Sequence, residues 1–87
     1  MQLLKAVPFS FEGRNYEVRV FAATGRYEVR AFLDGKPANG YSYFVDEVTN
    51  LDVATTRGYP AYEHLIELAK SDIQNRVWEQ YLAAIRQ

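Results

Sequence analysis

Three runs of apolar–polar alternation between Val7 and Leu33, punctuated by Glu12-Gly13-Arg14-Asn15 and Ala22-Ala23-Thr24-Gly25, dictate a sheet for the first half of this chain. Val7, Phe9 and Phe11 alternate with Pro8 and Ser10. Tyr16, Val18 and Val20 alternate with Glu17, Arg19 and Phe21. Tyr27, Val29, Ala31 and Leu33 alternate with Arg26, Glu28, Arg30 and Phe32. They read as three antiparallel strands in the order one, two, three.

Inward residues must face inward residues, because a one-residue slip turns a whole strand over. For the second hairpin this pairs Val20 with Tyr27 and Val18 with Val29. Arg19 then lies opposite Glu28 and Glu17 opposite Arg30. The next register sets Arg19 against Arg30, and directly opposed like charges cost a few tenths to about 1 kcal/mol. The same parity pairs Phe11 with Tyr16 and Phe9 with Val18 across a Gly13-Arg14 turn. Asp34-Gly35 is a hairpin signal, but Pro37 and Gly40 follow closely, so an irregular or bulged connection is expected. A fourth strand has Tyr41, Tyr43 and Val45 facing the core, with Ser42, Phe44 and Asp46 outside.

After a connection of mixed polarity over 48–58, the period changes to that of a helix, with Pro60 suited to a first helical position. Tyr62, Leu65, Ile66, Ala69 and Ile73 share one stripe, and Val77, Trp78, Tyr81, Leu82 and Ile85 form another. The second stripe is rotated from the first by more than a straight helix over one flat sheet allows. A bend is therefore expected between Lys70 and Asn75, where Ser71 and Gln74 match a capping box. The prediction is a helix over 60–70 and a second helical segment over 72–86.

The fold class expected is α+β: a four-stranded antiparallel meander packed on one face by a helix, with a second C-terminal helical segment. At 87 residues the chain is one domain spanning 1–87, with its sheet over 4–46 and its helical part over 60–86. Its 48% hydrophobic content is enough for a core. A chain this short buries only about 60% of its unfolded surface, so a partner or second copy would add stability.

Several functions are disfavoured at once. With no cysteine there is no disulfide framework and no thiolate site. No apolar run approaches the roughly 20 residues of a membrane span, and 1–10 makes a poor signal peptide, so a cytoplasmic location is expected. Residues 1–36 carry six basic and four acidic groups, and 37–87 carry four and seven, which leaves a net charge of −1 and no field for a polyanion.

Catalytic signals are sparse. His64 is the only histidine, with Pro60, Ala61, Glu67 and Leu68 as its helical neighbours. A metal there would need Asp46, Glu47 or Asp52 as further ligands, without any spacing signature. Glu63 and Glu67 sit one turn apart on a solvated face, and Asp72 and Arg76 are spaced for an ion pair. There is no phosphate loop, nucleophile elbow or zinc motif. No catalytic residue, metal ligand or cofactor is assigned, and an enzyme is not expected.

The non-core sheet face carries more information. It should display Glu17, Arg19, Phe21, Arg26, Glu28, Arg30, Phe32 and Phe44. Aromatics interleaved with arginines suit protein interfaces and also single-stranded RNA readers, although here glutamates accompany the arginines. The edge strand offers strand addition as a further route. The second helical segment presents more apolar surface than a flanking helix needs. The interface residues expected are therefore Arg19, Phe21, Arg30, Phe32, Trp78 and Tyr81.

With "YEVRV" over Tyr16–Val20 and "YEVRA" over Tyr27–Ala31 ahead of a helix, residues 14–70 resemble the layout of small HicB-type antitoxins. They are also similar to the double-stranded-RNA-binding fold without its first helix. The likeness rests on element order and transfers no residue role. Compact sheet-and-helix chains are also usual among small acidic phage inhibitors. The expectation is a non-catalytic protein-interaction module, an adaptor, antitoxin-like or phage-type inhibitor, with homodimerisation as one form of association. The alternative is single-stranded or structured RNA on the sheet face.

Overall fold

The computed structural model describes residues 2–86 and has the expected α+β class. Its elements are β1 (Gln2–Phe11), β2 (Arg14–Ala23), β3 (Arg26–Leu33), β4 (Lys36–Pro37), β5 (Tyr43–Asp46), α1 (Glu47–Arg57), α2 (Ala61–Gln74) and α3 (Val77–Ile85). The sheet is antiparallel in the order β1-β2-β3-β4, and β5 also pairs with β3. The expected fourth strand is present as β5, two residues shorter at its start, and β4 is an additional short strand in the expected irregular connection. Leu33 and Phe32 pair with β4, while Arg26 to Val29 pair with β5. Between them the chain leaves the ladder, and Tyr41 lies outside any strand. Tyr43 and Val45 do face the core side, opposite Val29 and Tyr27, with Phe44 on the outer face.

Both hairpin registers differ from expectation by two residues, and glycine is the reason. Phe9 pairs with Tyr16 and Val7 with Val18, not Phe11 with Tyr16 and Phe9 with Val18, because the turn is Glu12-Gly13. Both residues are left-handed, at φ 51 and 76, a mirror-image hairpin turn that favours glycine in second place. In the second hairpin Val20 pairs with Val29 and Val18 with Ala31, which puts Thr24-Gly25 at the turn and Gly25 at φ 74. The charge-matched register would have centred the turn on Ala23-Thr24, where no residue takes positive φ readily. Turn chemistry overrides charge, and Arg19 stands opposite Arg30. Asp34-Gly35 forms a third turn of this kind, at φ 53 and 78. The irregularity expected there comes only after β4. On β1 the ladder shifts between Leu3 and Lys5, which carries Leu3 to the outer face opposite Phe21 and leaves Lys5 on the helix side, ion-paired to Glu63 at 2.6 Å.

Residues 48–58, expected as a connection, are mostly helix. Asp46 caps α1, accepting the Thr49 amide at 2.7 Å, and Gly58 closes it at φ 80 with its amide bonded to the Ala54 carbonyl. The helix also serves its successor: Pro60 gives α2 no side-chain cap, but buried Asn50 accepts the Tyr62 amide at 3.2 Å.

The first predicted stripe lies where periodicity placed it. Val18, Val20, Val29, Ile66 and Ala69 form the buried core, with Val7, Phe9, Tyr43, Tyr62 and Leu65 packed around it. The break comes later than expected. Ser71 is inside α2, bonding Asn75 through both its carbonyl and its hydroxyl, and the chain turns at Arg76, φ 55. Asp72 and Arg76 have other partners: Tyr43 donates its hydroxyl to Asp72, while Arg76 pairs with Glu12 and with Glu79. No helix among the described residues is long and apolar enough to cross a membrane.

Candidate functional site

The registers of β1, β2, β3 and β5 arrange the outer face in rows. One runs Leu3, Phe21, Glu28, Phe44 across four strands, and the next runs Ala6, Arg19, Arg30. A third runs Pro8, Glu17, Phe32, Pro37. Arg19, Phe21, Arg30 and Phe32 are therefore brought together, as anticipated, on a face that α2 leaves uncovered.

Arginines on this face sit over aromatic rings. The Arg19 guanidinium is 4.2 Å from the Phe32 ring centre, the Arg30 guanidinium 5.9 Å from the same centre, and Arg26 is 4.7 Å from that of Phe44. Phe21 meets Phe32 edge-on at 6.2 Å. Neutralisation runs along the strands instead of across them: Arg19 Nε donates to Glu17 at 2.5 Å, and Arg30 Nε is 4.0 Å from Glu28. This lets two arginines occupy opposed positions. The expected cross-strand pairs, Arg19 with Glu28 and Glu17 with Arg30, do not form.

Two residues are less accessible than a solvated face implies. Phe32 is only 9% exposed beneath its arginines, and Glu28 is 6% exposed between Phe21 and Phe44. The accessible large side chains of the face are instead Leu3, Arg26 and Phe44, with Leu3 and Phe44 each 50% exposed. Arg26 stacked on Phe44 is the pairing that sequence reasoning left out of its interface residues. Its signal was the parity that put both on one face. The strand-end pairing Arg26 to Asp46 that aligns them was not legible.

Trp78 and Tyr81 belong to a different surface. They stack on one another at 5.4 Å, and Trp78 meets Tyr41 edge-on at 5.3 Å. A Cβ built on Gly40 would fall within 2.8 Å of the indole ring, so the Trp78 seat depends on a glycine. None of the described residues of α3 is fully buried, and Tyr81 and Ile85 are 48% and 60% exposed. A polar cleft of about 250 Å³ lies beside this segment, with Arg14, Arg76, Asn39, Asp72 and Trp78 among its walls.

His64 is exposed and lies in the wall of another cavity with Arg57. Among the described residues no three His, Asp or Glu side chains come close enough together to hold a metal ion. Glu63 is engaged by Lys5, and Glu67 by Lys70 at 3.5 Å. No protein-family model, curated protein or solved structure matches the chain.

Proposed function

We propose that this protein is a non-catalytic interaction module that engages a protein partner through the outer sheet face. The observation that carries this reading is the set of arginines held over the rings of Phe32 and Phe44 beside exposed Leu3. Stacking fixes the guanidiniums in place, which lowers the ordering cost of binding, and arginine and aromatic side chains are the usual centres of interface energy. With Arg19, Arg26 and Arg30 balanced by Glu17, Glu28 and Asp46 on the face, a partner that brings apolar side chains with both donor and acceptor groups is favoured.

Glu17 and Glu28 beside these arginines, and the overall charge of −1, favour protein over nucleic acid. Antitoxin-like or inhibitory action fits such a module.

The test is capture from lysate of the source organism on immobilised wild-type protein and on the Leu3→Ser/Arg26→Glu variant, with and without nuclease. Both substituted positions are exposed, so the fold should persist. A protein retained by wild type after nuclease and lost by the variant is expected. Material that disappears with nuclease overturns the reading in favour of RNA. An empty eluate, or equal retention by the variant, removes the outer face as the site.

A further inference from the structure

Between the free side of β5 and the two helices that follow lies a cavity of about 290 Å³. Phe44, Val45, Val53 and Leu65 supply most of its wall, with Tyr59 and Ala61 completing it. Only two side chains in that wall carry or can carry positive charge, Arg57 and His64, and no carboxylate is among the lining residues. Of the acids next to the wall in sequence, Asp46 is committed to the α1 cap, Glu63 to Lys5 and Glu67 to Lys70, while Glu47 and Asp52 are not among the lining residues.

A half-open apolar cleft whose one charged lining side chain, Arg57, has no ion-pair partner among the described residues selects for a ligand of complementary build. We propose that this cavity binds a small anionic amphiphile, a medium-length aliphatic carboxylate, with its hydrocarbon part against Val45, Val53 and Leu65 and its head group at Arg57 and His64. The volume sits at the lower edge of ligand-holding pockets, roughly 300 Å³ and up, which suits a short chain. The carboxylate would take a charge-assisted hydrogen bond from the Arg57 guanidinium, whose fork matches its two oxygens, and a second from the imidazole. This site lies apart from the partner face, sharing only Phe44 with it.

Octanoate and 1-octanol are the probes, titrated separately into the isotope-labelled full chain and followed by amide chemical shifts. One saturable octanoate site is expected, with shifts centred on Val45, Val53, Tyr59 and Leu65 and weaker binding of the alcohol. Arg57→Gln should weaken octanoate about tenfold, the scale of one charge-assisted hydrogen bond, and leave 1-octanol unchanged. His64→Ala should weaken it less. Both positions are exposed, so both variants should fold, which their unperturbed spectra without ligand would verify. Scattered or non-saturating shifts overturn the proposal, as does octanoate binding equally well to Arg57→Gln or no better than the alcohol. None of these outcomes bears on capture by Leu3→Ser/Arg26→Glu, so the two readings fail separately.

Discussion

Glu12 and Arg76, 64 residues apart, hold one another by their side chains while both backbones occupy the left-handed region, at φ 51 and 55. The pair joins the β1–β2 turn to the break between α2 and α3. An arginine in that conformation is strained where glycine is not. Arg76→Gly should therefore melt above Arg76→Ala, since both lose the ion pair and only glycine relieves the backbone. Equal melting temperatures would show that the left-handed residue carries no cost.

Asp46 gives an acid-side prediction. Hydrogen bonds from the Thr49 amide and then its hydroxyl hold the carboxyl below its ordinary value of 3.8. A group depressed in the folded state stabilises above its unfolded value, so this contribution is complete above about pH 4. It is lost as pH falls through the lower folded value. Asp46→Asn, which caps without titrating, should show a shallower loss of thermal stability between pH 4 and 2. Identical acid limbs for both proteins would count against the cap.

Tyr43 gives the alkaline counterpart. Burial, then its hydrogen bond to Asp72, raises the phenol well above 10.0. A group raised in the folded state stabilises below its unfolded value, and that stability declines as pH climbs past about 10 toward the folded value. In Tyr43→Phe the decline above pH 10 should be smaller, read from melting curves at pH 8 and pH 11.

Gly40→Ala should displace the indole of Trp78, because the new methyl group meets the ring. Overpacking of this kind costs about 1–3 kcal/mol. A changed near-ultraviolet circular dichroism signal should accompany the loss. Wild-type stability and an unchanged tryptophan signal would place the indole elsewhere.

Ile66, 2% exposed at the centre of the core, sets the scale for the whole domain. Ile66→Ala should cost about 2–5 kcal/mol by denaturant titration, a large part of the stability of a chain this small. A loss below 1 kcal/mol would mean that α2 is not the cover of the sheet.

The faces of the strands and the buried stripe of α2 were legible because burial imposes a period, as with Val18, Val20 and Ile66. The registers were misread because the charges of Glu17, Arg19, Glu28 and Arg30 were matched across strands, whereas glycine at the second turn position decides and the charges settle along each strand. Asp46 with Thr49 and Gly58 carried the signals for α1, start and stop, but of its apolar residues Val48 and Leu51 are exposed and only Val53 and Ala54 are partly covered. Its weak apolar stripe hid it. At the site, parity put Arg19, Phe21, Arg30 and Phe32 together. It could not show that Phe32 and Glu28 are covered by their neighbours, nor that Arg57 and His64, from different helices, share one cavity.

The outermost strand has a further consequence for what the molecule can become. Among the described residues β1 pairs only with β2, so ten residues of backbone lie along an open border. Pro8 in the middle has no amide hydrogen to offer a newcomer, and the shift between Leu3 and Lys5 breaks the spacing a straight neighbour would need. Copies of this chain are thereby discouraged from joining edge to edge into fibrils, and a strand that does dock on β1 must do so in short stretches on either side of the proline.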